Sequence, residues 1–361
     1  MSAITMSHQE VKMVNVTAPI NTLGYGVASY NIIKNLYSIG EQVSYFPIGN
    51  PEPPEPEDFL RHVMYNMYNK NAPSVKIWHQ NDIHHHVGKG LHVGFPIFEL
   101  DMFSQQEKWS MSHNDRIFVC AHWAKSIVED EINIQTFVVP LGVDTQTFSP
   151  APVSARPKTI FFNCGKWEVR KGHDILVDCF TAAFEHSDDV ELWMMCENPF
   201  YSEQQQREWI NLYKQSKLGD KIRIIPRQKT HQDVYNIMKQ TDCGVFPARA
   251  EGWNLELLEM MACGKQVIAT NYSAHTEFCT EANSMLVEIN STELANDGVW
   301  FKGNGMWASL DSESVEQIVS HMRAVHKEKQ QGLQHQNIDG INTSREFSWE
   351  NSAKKFLDGL K

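Results

Sequence analysis

Short apolar runs alternate along the chain with stretches whose apolar residues recur at helical spacing. Residues 11–16, 43–48, 75–79, 91–98, 116–120 and 136–140 read as strands. Among them, Val27, Ala28, Ile32, Ile33 and Leu36 mark one face of a helix over 27–38. Further helices are predicted over 58–69, 105–112 and 124–131. A second series follows, with strands at 159–163, 190–196, 222–226, 243–246 and 266–269. Its helices are predicted over 172–186, 204–217, 231–240, 254–263 and 312–329, with a last amphipathic one over 349–360. Such alternation predicts an α/β protein. Two segments break the pattern. PEPPEPEDF (51–59) is a loop, because proline removes backbone donors and the acids repel one another. FSPAPVSARPK (148–158) carries three prolines among small residues and reads as a linker.

The 361 residues exceed what one core supports, so two domains are expected, divided near residue 150. A net charge of −12 argues against a large nucleic-acid surface. The first 150 residues hide no basic half, holding nine Lys and Arg against fifteen Asp and Glu. Seven scattered cysteines without a CxxC pair fit free thiols in a reducing compartment, and the chain is expected to be cytoplasmic. The N-terminus lacks a signal-peptide pattern, and no 18-residue apolar run is present to span a membrane.

Candidate chemistry gathers in two loops of the second series. In EGWNLELLE (251–259), Glu251 precedes a helix that Asn254 caps and Gly264 ends. A helix start of this kind presents unpaired N–H groups that attract phosphate. Glu256 falls in the first turn and reads as a solvated acid favoured by the helix dipole. Glu259 either pairs with a buried Lys or Arg or contacts a ligand. The other loop, Gly165-Lys166-Trp167-Glu168-Val169-Arg170-Lys171-Gly172, places three cations at a strand's C-terminal end. That is where open α/β sheets bind ligands, although a solvated charged turn has the same composition.

Together these segments resemble the retaining glycosyltransferases of the GT-B fold, glycosyltransferase family four (group 1). The likeness rests on Glu251 and Glu259 with seven residues between them, on Met261-Ala262-Cys263-Gly264, and on the Gly165-Lys166…Lys171-Gly172 loop, in which Lys166 stands where Arg is usual. Gly24-Tyr25-Gly26, Val138–Asp144 with Phe148-Ser149-Pro150, and Phe347-Ser348-Trp349-Glu350 extend it over nearly the whole chain. Trp253 for Phe, Asn254 for Gly or Ser, and Gln266 for Pro are mild departures.

The resemblance implies two Rossmann-like domains facing a central cleft. The acceptor-side domain would span residues 1–150, with 346–361 crossing back to it as a helix. The domain that binds the nucleotide-sugar would span 151–345. The activity implied is transfer of a sugar, with retention, from a UDP- or GDP-linked donor to an acceptor hydroxyl, with no cofactor and no metal ion. By resemblance Lys166 and Lys171 neutralise the diphosphate, and the N–H groups of Asn254 and Leu255 bind it at the helix start. Glu259 accepts from the ribose hydroxyls and Glu251 contacts the transferred sugar. Gly165 belongs to the same donor loop, while Gly24 and Gly26 let the N-domain backbone approach the donor.

In WHQNDIHHHVGKGLH (78–92), His79 ends a strand and is the preferred contact to sugar or acceptor. Glu99 and Asp101 also follow a strand and are candidates for the acceptor side or for a structural loop. The triple histidine raises metal binding, but no companion Cys or acid spacing of a zinc motif is read beside it. Rival readings are a nucleotide-sugar epimerase or hydrolase of the same fold, and a non-catalytic nucleotide-sugar-binding protein. For the acceptor, a modified base in viral DNA is the alternative to a carbohydrate or other hydroxyl.

Overall fold

The computed structural model describes residues 13–53 and 58–361. The acidic, proline-rich loop expected over 51–59 and the first residues of the strand expected over 11–16 lie partly outside them. The chain forms two units, each with its own parallel sheet. The first comprises the described residues of Met1–Phe98 together with Phe103–Gly142 and Ser348–Lys361. The second comprises Glu99–Met102 and Val143–Phe347.

In the first unit the strands are β1 (Met13–Ala18), β2 (Gln42–Pro47), β3 (Ser74–Ile77), β4 (His92–Phe95), β5 (Arg116–Val119) and β6 (Thr136–Val138). Its sheet order is β2-β1-β3-β4-β5-β6, all parallel. Val14, Val16, Val75, Ile77, Val93 and Phe95 are fully buried, as a sheet covered on both faces requires. The helices are α1 (Gly24–Ser38), α2 (Asp58–Tyr65), α3 (Gln105–Ser112) and α4 (His122–Ile132). α2 stops four residues short of the predicted Asn69; Asn66 turns its amide to donate to the Val43 carbonyl at 3.0 Å.

The second unit contains β7 (Thr159–Gly165), α5 (His173–Ala183), β8 (Val190–Cys196), α6 (Glu203–Lys214), β9 (Ile222–Ile224), α7 (His231–Met238), β10 (Cys243–Phe246), α8 (Leu255–Ala262), β11 (Gln266–Thr270) and β12 (Met285–Val287). Its parallel sheet runs β12-β11-β10-β7-β8-β9. Read from the β9 edge, this is the strand order of dinucleotide-binding folds, and the order reverses between β7 and β10. Ligands of such sheets bind beyond the strand ends at that reversal. Both candidate loops start there.

Three elements were not anticipated beyond β12. An antiparallel hairpin joins β13 (Thr292–Asn296) to β14 (Lys302–Ala308). It lacks a strand-like apolar pattern because β13 buries only Ala295, and Gly303 and Gly305 adopt positive φ. The expected helix α9 (Ser312–Gln330) follows, and then α10 (Ile338–Glu346), whose Gly340, Asn342, Thr343 and Ser344 are poor helix formers. Asn337 caps α10, and the helix packs on α8. The final helix α11 (Trp349–Leu360) returns to the first unit, as the resemblance implied. It packs on α1, sets Phe356 against Phe118, and gives its Gly359 carbonyl to Arg116 at 2.7 Å.

Candidate functional site

The chain leaves β7 into the cationic loop and leaves β10 at Phe246 into Pro247–Glu251. The two loops are locked together. Gly172 has φ +72°, and a Cβ there would lie 2.0 Å from the Pro247 carbonyl oxygen, so only glycine fits. Arg249 donates its backbone N–H to the Arg170 carbonyl and forks onto Asp174 at 2.7 and 2.9 Å. His173 is buried beneath the loop. Its Nδ1 accepts from the Glu168 N–H at 3.2 Å, and its Nε2–H donates to Asn163 Oδ1 at 2.9 Å. Burial, with Lys171 adding, lowers its pKa to about 3, so the ring stays neutral and the tautomer is set.

A chain of alternating charge runs through these loops. Lys166 pairs with Glu168 at 2.8 Å, and Glu168 with Arg170 at 2.7 Å. Arg170 reaches Glu251 at 2.7 Å and the Ala250 carbonyl at the same distance. The other Glu251 oxygen holds Lys171 at 2.7 Å. Glu99 stands 3.8 Å from Arg170 and completes a set of three cations and three carboxylates. The side chains of Glu168, Arg170 and Glu251 are 4–6% exposed, Lys171 is 11% exposed, and Lys166 is 37% exposed. Lys166 and Lys171 therefore carry the cationic charge of the network toward its rim, while Glu168, Arg170 and Glu251 form its buried centre.

Burial opposes ionisation of Glu251, but Arg170 and Lys171 outweigh it and hold its carboxyl well below the usual range. Lys171 responds in the opposite direction. Burial disfavours its charge, yet Glu251 and Glu256 keep its pKa raised. Glu99 is pushed up by burial, and Arg170 only partly offsets the shift.

Glu251 is also fixed through its backbone. Its N–H donates to Ser273 Oγ at 2.8 Å, and its carbonyl accepts from the Ala274 N–H. Asn254 caps α8 from a left-handed conformation, φ +84°, which explains a position where glycine is usual. Its Oδ1 accepts from the Leu257 N–H, while its Nδ2 donates to His275, which burial keeps neutral with a pKa lowered to about 4. The N–H groups of Leu255 and Glu256 then lack intrahelical acceptors, as at any helix start. Glu256 is half-buried rather than fully solvated, and its charge bears on Lys171 and Cys164. Glu259 is half-buried with no cation or hydrogen-bond donor on its carboxylate among the described residues, which removes the ion-pair reading. Burial, then Glu256 and Asp144, push its pKa well up.

Asp101 holds the hairpin, its Oδ1 accepting from the Met306 N–H at 2.7 Å. Glu99 and Asp101, expected beside the acceptor, belong by contact to the second unit. In the first unit, Gly24 opens α1 with free space where a Cβ would stand. At Gly26 the Cβ position lies 2.3 Å from Asn21, so that glycine is required by its own loop. His79 is exposed beyond β3, its ring packed on Tyr25 and Trp78 at 4.7 and 4.9 Å. The reversal in this sheet, between β1 and β3, lies at the same end. Sequence reasoning counted Arg170 among the loop cations but missed it as the hub of the network, and it missed Glu168, Ser273 and His275.

Two Rossmann-like units with a helix returning from one to the other define the GT-B architecture. Sucrose-phosphate synthase from Thermosynechococcus elongatus superposes with a TM-score of 0.69 at 13% identity, over 96% of this chain and 98% of that one. Anabaena Alr3699/HepE in complex with UDP-glucose gives 0.67 at 12% identity, over 96% and 99%. Residues 157–299, all in the second unit, match the family profile Glycosyl transferases group 1. A GDP-mannose-dependent alpha-(1-6)-phosphatidylinositol dimannoside mannosyltransferase of Mycobacterium tuberculosis (strain ATCC 25177 / H37Ra) is 26% identical over 153 residues, covering 40% of this chain and 38% of that protein. The chain spans less than half the length of the curated relatives it matches. No helix among the described residues is long and apolar enough to cross a membrane.

Proposed function

We propose that the chain transfers a sugar, with retention of configuration, from a nucleoside-diphosphate sugar to an acceptor hydroxyl. The observation that carries this is the charge-balanced network at the β7/β10 reversal, with cations at its rim and the open start of α8 beside it. A diphosphate carries charge that Lys166, Lys171 and the Leu255 and Glu256 N–H groups meet without a metal ion. Lys171 has three donors, so it holds Glu251 while binding phosphate. As the bond to the sugar breaks, these cations stabilise the leaving diphosphate, which in turn helps deprotonate the acceptor hydroxyl on the same face. Glu251, kept ionised and immobile, contacts the sugar. A uridine or guanosine donor is supported by relatives that bind UDP-glucose or depend on GDP-mannose.

Proton NMR of the product mixture tests the reading. Incubation with UDP- and GDP-sugars and a panel of hydroxyl acceptors is expected to give a new glycoside with the donor's anomeric configuration. An epimerised donor or free sugar alone would favour the epimerase or hydrolase reading.

The unpaired carboxylate of Glu259 suits the ribose hydroxyls, which donate to it. Such donation favours the ionised form, whereas in the free protein the pKa lies above the ordinary 4.5. Binding therefore releases a proton at acidic pH, and donor affinity rises with pH through a window above 4.5. A nucleotide-sugar has no terminal phosphate, so the ionisation near pH ~6 does not interfere. Calorimetric titration across this range is expected to show the dependence in wild type and a flat profile in Glu259→Gln. The same slope in both proteins would remove Glu259 from the ribose.

A further inference from the structure

The histidine run after β3 has a feature that the donor site leaves unused. A short 3-10 turn covers Gln80–Asp82, and after Ile83 come His84 and His85. Asp82, His84 and His85 each offer one ligand atom, and the three atoms lie within 4.8 Å of one another. The acid absent from the zinc-motif spacings is therefore present, three residues before His85.

We propose that Asp82, His84 and His85 form a binding site for a divalent transition-metal ion, with water completing the coordination. Two imidazoles and one carboxylate suit Zn²⁺, Co²⁺ or Ni²⁺, whereas Ca²⁺ and Mg²⁺ prefer all-oxygen sets.

The surroundings orient the ligands. His84 Nδ1 lies 3.0 Å from Ser110 Oγ, which leaves Nε2 for an ion. Ser110 is buried and already accepts the Ile83 N–H, and the His84 ring packs edge-on to Trp109 at 4.7 Å. Asp82 Oδ2 is 3.3 Å from the buried Lys76 ammonium, while Oδ1 faces His85 Nε2 at 4.0 Å. One carboxylate oxygen is thus anchored and the other is available. Lys76 also repels an incoming cation, which moderates affinity.

The third histidine of the run is excluded. Both His86 nitrogens are engaged, Nε2 with Asn114 at 2.7 Å and Nδ1 with Ser74 at 3.4 Å. A tetrahedral ion with bonds of about 2.0–2.2 Å needs ligand atoms ~3.3 Å apart. Asp82 is 50% exposed and keeps Oδ2 on Lys76, while His85 is 75% exposed and turns its ring to close the gap. An ion there clamps the turn that begins immediately after His79, whose carbonyl accepts from the Asp82 N–H.

The test is titration of the full chain with Zn²⁺ in competition with a chromophoric chelator, with no donor sugar present. One ion per chain is expected. Asp82→Asn and His85→Ala are each expected to weaken binding at least ~10-fold. His335→Ala, at an exposed histidine of the second unit, is expected to bind as wild type, and excess Mg²⁺ is expected not to compete. The two substituted ligands are exposed, so an unchanged melting temperature without metal verifies folding. No saturable binding below ~1 mM, or equal binding by the Asp82 and His85 variants, would overturn the proposal.

Discussion

Replacing Glu251 with alanine is expected to lower sugar transfer ~100-fold or more, the scale of losing a charged contact made at the transition state. The same change is expected to destabilise the second unit by ~3–5 kcal/mol, because it strips one partner from a buried ion network. Among the described residues, Glu251 alone pairs with both Arg170 and Lys171, and its removal leaves two largely buried cations facing each other. The two effects are separable. Glu251→Gln keeps the shape and one acceptor oxygen, so it recovers part of the stability while activity stays low. Turnover with the donor identified by NMR, set beside the unfolding midpoint, reads both. Alanine and glutamine variants with near-wild-type turnover would remove Glu251 from the chemistry.

Arg170→Met is expected to be at least as damaging to the fold, again by ~3–5 kcal/mol. The guanidinium lies between Glu168 and Glu251, with Glu99 at 3.8 Å. Without it, two nearly buried carboxylates and a third half-buried one lose their shared partner, and only Lys166 and Lys171 remain to compensate. The deficit has a characteristic pH dependence. In the variant, the pKa values of these carboxylates rise above their unfolded values, so the folded state binds more protons than the unfolded one. Stability then falls as pH rises through that range, and the gap to wild type narrows as pH is lowered. Denaturant midpoints of the second unit at neutral and mildly acidic pH measure it. A gap that does not change with pH would mean that Arg170 acts through packing alone.

The parallel strands of the second unit were legible because each is a short apolar run bounded by turn residues; 190–196 and 243–246 coincide with β8 and β10 to the residue. The start of α8 was legible from Asn254 and its end from Gly264. The charge network was not, because its key contact joins Arg170 to a glutamate 81 residues away. In sequence, Lys166, Arg170 and Lys171 look equivalent. The fold buries Arg170, leaves Lys166 partly in water and sets Lys171 between them. Local pattern likewise misjudged Glu256, whose first-turn position predicted a solvated side chain. The hairpin of β13 and β14 stayed hidden for a different reason. It is held by contacts from other segments, including the Met306 N–H to Asp101 and the pairing of Arg249 with Glu293 at 3.4 Å.

A nucleotide-sugar is expected to bind at the rim cations and the start of α8. The most direct test of this binding is calorimetric titration of UDP-, GDP- and ADP-linked sugars into wild type, Lys166→Ala, Lys171→Ala and Glu259→Ala. Saturable binding of at least one donor, one per chain, is expected in wild type and is expected to weaken ~10-fold or more in each variant, since every ~1.4 kcal/mol lost is tenfold in affinity. A donor that binds all four proteins equally, or no donor binding to any of them, would contradict it.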